Sequence, residues 1–254
     1  MIPAHVDVVS LAFGDRYPDL YYERLYRMLA RHMPTAFTLT IVTDRPRALP
    51  PEIRTLDASA WTMGREGMRV TTNKLRLFDP ESGLPPEFLY LDTTLVIHRD
   101  MGPLLDFAFG REEELVVVKD WNYDCYNTCV MRIRTGGRLR AIYDAWLAGE
   151  IYDHRVNGDQ DYVHAVVADR GMTDEVALFP TDQIASYRNA RNASRNDPEA
   201  SRVTLDRAII VKFFGYLKMH QLASRSWRWK RALRKPREIP ILGFWVRELR
   251  ERWR

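Results

Sequence analysis

Phe88-Leu89-Tyr90-Leu91-Asp92-Thr93-Thr94-Leu95-Val96-Ile97 decides how this chain is read. Two short apolar runs flank a single carboxylate. Phe88 to Leu91 has no polar break, the pattern of a strand covered on both faces, and Leu95 to Ile97 reads as a second short strand. Asp92 therefore falls at the rim of a sheet. A carboxylate there either shapes a turn or faces a ligand, and the ten residues alone leave both open.

Outward from this stretch, strands and helices alternate. Val6 to Phe13 is a near-continuous apolar run, and Phe37 to Thr43 is a β-branched one stopped by Asp44-Arg45-Pro46. Between them Pro18 opens a helix whose apolar positions Tyr22, Leu25, Tyr26 and Leu29 follow three–four spacing. Leu115 to Val118, Cys129 to Ile133 and Ala208 to Phe213 read as further strands; Arg138 to Leu147 and Asp161 to Asp169 read as helices. The alternation predicts an α/β fold, its sheet parallel in the first half, with ligands at the carboxyl ends of the strands. Tyr187 to Arg202 breaks the rhythm. Rich in Asn, Ser and Arg, it is expected to be either a lid over a ligand or a mobile surface loop.

The chain has 254 residues, 46% hydrophobic and 28% charged, which suits one large domain or a domain with an appendage and excludes a disordered or collagen-like chain. Its two cysteines, Cys125 and Cys129, build no disulfide framework and read as small buried residues, so a reducing cytosol is the expected compartment. Met1 to Leu20 lacks the pattern of a signal peptide, and no stretch of about 18 apolar residues occurs. No P-loop, G-x-G-x-x-G or G-x-S-x-G is found, which leaves NTPase, dinucleotide and serine-hydrolase readings without support.

The segment Phe88 to Phe107 resembles the centre of GT-A glycosyltransferases, particularly family 8 and related bacterial polysaccharide enzymes, where an apolar strand meets an Asp-x-Asp motif. Five other segments resemble that family in order: Leu11 to Tyr17, Thr43-Asp44, Asn73 to Phe78, Asp120 to Asn127, and Gly158-Asp159-Gln160-Asp161. Phe213 to His220 lies where the family has His-x-Gly-x-x-Lys. The resemblance covers roughly residues 6–220. It implies a Rossmann-like mixed sheet flanked by helices that binds a nucleotide-diphosphate sugar and transfers the sugar, with retention, to a glycan or lipid-linked acceptor. By the same resemblance Ala12, Gly14, Tyr17, Asp44, Lys74, Asp92 and Thr94 would hold the nucleotide. Asn127, Asp159 and Gln160 would hold the sugar; Asp159, Gln160 and Lys218 would be catalytic. Asp159 also suits a helix cap, a role compatible with catalysis.

The departures matter as much. Thr94 stands where the family has its second acid, and Phe214 where it has a His, so a Mn²⁺ or Mg²⁺ site keeps only Asp92 and its ligand set is incomplete. Lys74, Arg188, Lys218 and a protonated His220 are then the candidate cations for the departing diphosphate. The competing reading is a catalytically inactive member that binds a nucleotide sugar, a glycan or a protein.

Residues 221–254 follow the resembling region as an expected second part. They carry 11 Lys+Arg against 3 acids, net +8, which leaves −4 for residues 1–220 of a chain whose total is +4. Leu242, Trp245, Leu249 and Trp253 recur at steps of three and four. They define a basic amphipathic helix that lies on an anionic membrane surface or docks on its own domain or a dimer partner. The membrane reading places the protein peripherally on the cytoplasmic face. Nucleic acid is the disfavoured partner, because residues 1–220 are acidic and no nucleic-acid motif is present.

Overall fold

The computed structural model describes residues 1–61, 64, 69–152, 158–215, 218–238 and 242–254. Tyr216 and Leu217 of the Phe213–His220 segment, and residues 239–241 of the basic tail, lie outside the described residues. The chain forms two compact units: Met1–Tyr22, Thr35–Thr93 and Gly102–Phe179 make the first; Glu23–Pro34, Thr94–Met101 and Pro180–Arg254 make the second.

The first unit holds a seven-stranded sheet. β1 (His5–Ala12) lies between β2 (Ala36–Thr43) and β4 (Glu87–Leu91), with β3 (Ile53–Asp57) outside β2, and these four are parallel. β7 (Tyr126–Arg134) is antiparallel to both β4 and β6 (Leu115–Lys119), and β8 (Val176–Leu178) runs parallel to β6 at the far edge. The expected mixed sheet is therefore present, and its first half is parallel as predicted. β3 and β8 were not anticipated: Ile53–Asp57 is half exposed at an edge and Val176–Leu178 has only three residues, so neither gives a strong apolar pattern. Helices α3 (Arg140–Leu147) and α4 (Asp159–Asp169), with the 3₁₀ helix Val70–Phe78, bury Ile142, Trp146, Tyr162 and Leu75 in one core with Tyr90, Val117 and Met131. Both cysteines are buried and neither is in a disulfide.

The second unit is built on a smaller sheet. β10 (Ile210–Lys212) pairs antiparallel with β5 (Leu95–Ile97) and parallel with β9 (Ile184–Ser186). The segment expected to be a lid or loop is helical instead: α5 spans Tyr187–Ala193 and α6 spans Pro198–Arg207. Caps explain the difference. Ser186 accepts from the Asn189 N–H and Asp197 from the Ala200 N–H, while Tyr187, Ala190 and Leu205 supply sparse but buried anchors. Polar composition hid a capped helix pair.

The tail also departs from expectation. Only Val246–Arg252 forms the terminal helix, because Trp245 adopts a left-handed backbone (φ 53°) just before it. Leu242, Trp245, Leu249 and Trp253 are all buried within this unit. Trp245 packs against His98 at 5.5 Å and donates its indole N–H to Asp206, and Arg24 stacks 4.1 Å over Trp253. The apolar face has thus taken the docked alternative. A tryptophan with 0% exposure is not available to a membrane.

His98 links this packing to pH. Burial, then the charge of Arg252, holds its imidazole down to about 4, and its Nε2 meets the Leu205 carbonyl at 3.1 Å. The unfolded chain takes up this proton near 6.5, so the stabilisation is complete above 6.5 and is lost as pH falls towards 4. A shift of this size corresponds to about 3 kcal/mol. Urea unfolding from pH 7 down to pH 4 should show the wild type weakening over this window and His98→Gln showing a flatter profile.

Candidate active site

Gly14 follows β1 and adopts φ +66°, a conformation glycine takes without Cβ penalty. This turn presents its N–H to Asp44 Oδ2 at 3.0 Å. Arg47 locks the same corner. Its Nη2 donates to the Ala12 and Gly14 carbonyls, both at 2.8 Å, its Nε to Thr43 at 3.0 Å, and its Nη1 to Asp19 at 2.9 Å. The second Asp44 oxygen, Oδ1, is buried with no hydrogen-bond partner. It is an acceptor in waiting, the kind of group that a base N–H or a ribose hydroxyl satisfies. Tyr17 packs its ring 5.1 Å from that of Tyr21. Arg47 was not foreseen, because it follows a stretch read only as a strand stop.

A second cluster centres on Lys74, carried by the 3₁₀ helix. Its Nζ sits 2.9 Å from Asp92 Oδ1, 3.2 Å from Asp159 Oδ2 and 3.3 Å from the Thr128 carbonyl. Tyr90 donates its hydroxyl to Asp92 at 2.8 Å, and Thr128 donates to Asp159. Burial opposes the ammonium charge, but Asp159 and Asp92 outweigh it and push the Lys74 pKa above its ordinary value. Three residues picked separately from the sequence thus meet in one ion cluster, Lys74 and Asp159 buried and Asp92 partly so, with Thr128 as an unforeseen member. The cap reading of Asp159 is overturned: Gly158 occupies the cap position of α4, no side chain caps it, and the Asp159 carboxylate turns to Lys74 and Thr128.

Asn127, on β7, donates its amide to Asp120 Oδ2 at 2.8 Å, and Gln160 lies 4.0 Å from the Cys125 sulfur. The other expected residues belong to the second unit. Thr94 accepts from Lys212, also unforeseen, at 2.8 Å. Arg188 lies 5.5 Å over the Phe214 ring, and Lys218 caps α7 (Met219–Ala223), its N–H donating to Gln221. Burial, then the Lys218 charge, lowers the His220 pKa, which disfavours the protonated form the sequence offered.

No family model and no curated protein sequence matches this chain. Solved structures do. The galactosyltransferase LgtC in complex with donor and acceptor sugar analogues is 15% identical with a TM-score of 0.54, the match covering 94% of this chain and 95% of that one. GlyE of Streptococcus pneumoniae TIGR4 is 14% identical at TM-score 0.59, covering 96% of this chain and 63% of that one. Mouse xyloside xylosyltransferase 1 is 8% identical at TM-score 0.53, covering 83% and 98%. The chain has the GT-A glycosyltransferase fold.

A GT-A fold raises the question of a divalent ion. The residues present do not fit one. Among the described residues no group of three His, Cys, Asp or Glu side chains is placed to hold a metal. Asp92 and Asp159 share an ammonium, and the side chain at position 94 is a neutral hydroxyl that accepts a hydrogen bond from Lys212. Hard cations take about six oxygen ligands and favour anionic ones.

Lys74→Met should strand two carboxylates without their counter-ion and cost about 3–5 kcal/mol in urea unfolding at neutral pH. Because the folded pKa of Lys74 is raised, its contribution is whole below about 10.5 and fades above that. The gap between wild type and variant should therefore narrow as the buffer is taken past pH 10.5.

Proposed function

We propose that this protein transfers a sugar from a nucleotide-diphosphate donor to a glycan or lipid-linked acceptor, with retention at the anomeric carbon and without dependence on a divalent ion. The observation that carries this reading is the placement of Gly14, Asp44 and Asp92 just beyond the carboxyl ends of the adjacent parallel strands β1, β2 and β4, with one Asp44 oxygen unsatisfied. Ligands of open α/β sheets bind at such ends. Asp44 and the Gly14 turn hold the nucleoside, with Tyr17 against the base and Ala12 supporting the turn. Asn127, Asp159 and Gln160 hold the donor sugar. Transfer forms a bond from the acceptor oxygen to the anomeric carbon and breaks the bond to the diphosphate, which leaves with the electron pair; the acceptor proton passes to solvent. Lys74 screens Asp92 from Asp159, so both carboxylates are held together in one rigid arrangement.

A thermal-shift screen of UDP-, GDP-, dTDP- and CMP-sugars in EDTA tests the reading. One donor should stabilise the protein by about 2.7 kcal/mol at 100 times its Kd. Asp44→Ala should abolish that shift, and Asp159→Asn should keep it while lowering slow donor hydrolysis by roughly 10²-fold or more. No shift with any donor returns the protein to the glycan- or partner-binding alternative.

We also propose that the second unit rests on an anionic membrane surface, using a face other than the one the sequence offered. No helix among the described residues is long and apolar enough to cross a membrane. Helix α8 (Arg225–Arg234) leaves Trp229 71% and Leu233 76% exposed, one turn apart. Beside them Arg225, Arg228, Arg247, Arg250 and Arg254 line a groove of about 840 Å³ in which Glu251 is the single acid among the described residues. Basic residues near anionic lipid contribute about 1 kcal/mol each. Co-sedimentation with phosphatidylglycerol-containing vesicles should exceed that with phosphatidylcholine alone, fall with salt, and be lost in Trp229→Ala/Leu233→Ala.

A further inference from the structure

The arginines that line the groove of the second unit come from two helices. Arg225 and Arg228 stand on α8, Arg247 and Arg250 on the terminal helix Val246–Arg252, and Arg254 follows it. Two of them are anchored at adjacent residues. Arg228 Nη1 donates to the Leu222 carbonyl and Arg250 Nε to the Ala223 carbonyl, both at 2.9 Å. Both guanidiniums are thereby held at the carboxyl end of α7, and both side chains belong to half-buried residues. Burial, and then the charges of Arg250 and Arg225, hold the Arg228 pKa below its ordinary value. Like charges kept at short range repel one another, and an anion between them relieves that repulsion.

The rest of the lining is apolar. Leu242 and Val246 are buried, Ala232 is half-buried, and Trp229 stands exposed beside them. A Cβ added at Gly243 would meet nothing within 4 Å, so the groove is open at this point. A volume of about 840 Å³ suits one small ligand rather than a lipid sheet. Guanidinium groups bind phosphate oxygens two at a time, and a phosphate monoester carries about −1.5 to −2 at neutral pH. Five arginines against one glutamate among the described residues give the lining a charge of +4, which favours such a dianion over a monoanionic diester. Inorganic phosphate would match the charge and leave the apolar lining unused.

We propose that this groove binds a lipid phosphomonoester, its phosphate between Arg228, Arg250 and the neighbouring arginines and the start of its chain along Trp229, Leu242 and Val246. The site deepens the reading that this face meets an anionic membrane, and rests on it. Adsorption to a surface uses any anionic lipid, whereas the groove takes one head group singly.

The test is isothermal titration of the full chain with octyl phosphate below its micelle concentration, with inorganic phosphate and with octanol. Wild type should bind octyl phosphate at one site and show no measurable heat of binding with octanol. Inorganic phosphate should bind at least about 10-fold more weakly, the worth of burying roughly two methylenes. Arg228→Gln/Arg250→Gln should weaken octyl phosphate and inorganic phosphate alike, by roughly 10- to 100-fold. Arg225→Gln/Arg247→Gln, at two exposed positions, should act in the same direction and stands in if the first variant fails to fold. Gly243→Phe keeps every charge, and should bring octyl phosphate down to the affinity of inorganic phosphate. Equal wild-type affinity for octyl phosphate and inorganic phosphate would make this a site for free phosphate and overturn the inference. Octyl phosphate binding that survives both arginine pairs, or survives Gly243→Phe, overturns it as well. A wild type that sediments with phosphatidylglycerol vesicles yet binds no octyl phosphate overturns the inference and leaves the membrane reading standing; failure in both assays removes the two together.

Discussion

The first unit depends on a lysine held between two carboxylates. An ammonium and two carboxylates buried together are tolerated only when each finds its partner, and Lys74 meets Asp92, Asp159 and Thr128 at once. That requirement ties together the 3₁₀ helix Val70–Phe78, the end of β4, the middle of β7 and the first turn of α4. Removing the central charge does not merely weaken one contact; it leaves two acids facing each other in a poor dielectric. Tyr90 and Thr128 donate to the same carboxylate oxygens that Lys74 meets, which adds to the rigidity of the cluster.

Asp92-Thr93-Thr94 carries the chain from β4 of the larger sheet to β5 of the smaller one. Each end of this tripeptide meets a buried lysine, Asp92 with Lys74 and Thr94 with Lys212. The two pairings differ in kind. Lys74 is held between carboxylates, whereas Lys212 donates to the Thr94 hydroxyl.

In the second unit aromatic side chains do the work that sheet size cannot. Three strands of three residues give a small core, and Tyr187, Phe213, Phe244 and Trp245 extend it, Tyr187 and Phe213 stacking at 4.2 Å. This is why the tryptophans of the tail are divided. Trp245 and Trp253 are consumed inside, and Trp229 stays on the surface among arginines. Spacing alone does not distinguish these uses, since a helical face of Leu and Trp suits a protein core and a lipid interface equally.

What the sequence determined was the alternation of strands and helices and the mixed sheet, because hydrophobic runs such as Val6–Phe13 and Phe37–Thr43 follow from local periodicity. It also named Asp92 from its place at a strand end, and Lys74 and Asp159 through the resemblance to GT-A glycosyltransferases. It held a trace of Lys212 too, a charge interrupting the apolar run Ala208–Phe213, which marks a buried group in need of a partner. Tertiary structure alone decided the partners. Lys74 and Asp159 are 85 residues apart, Thr94 and Lys212 118, and such pairings are set by how sheets and helices close over one another. The same holds for the capped helices α5 and α6 and for the buried tail, where polar composition and amphipathic spacing are each compatible with more than one burial. A residue's chemistry is written locally, but the dielectric around it and the charge opposite it are properties of the folded whole.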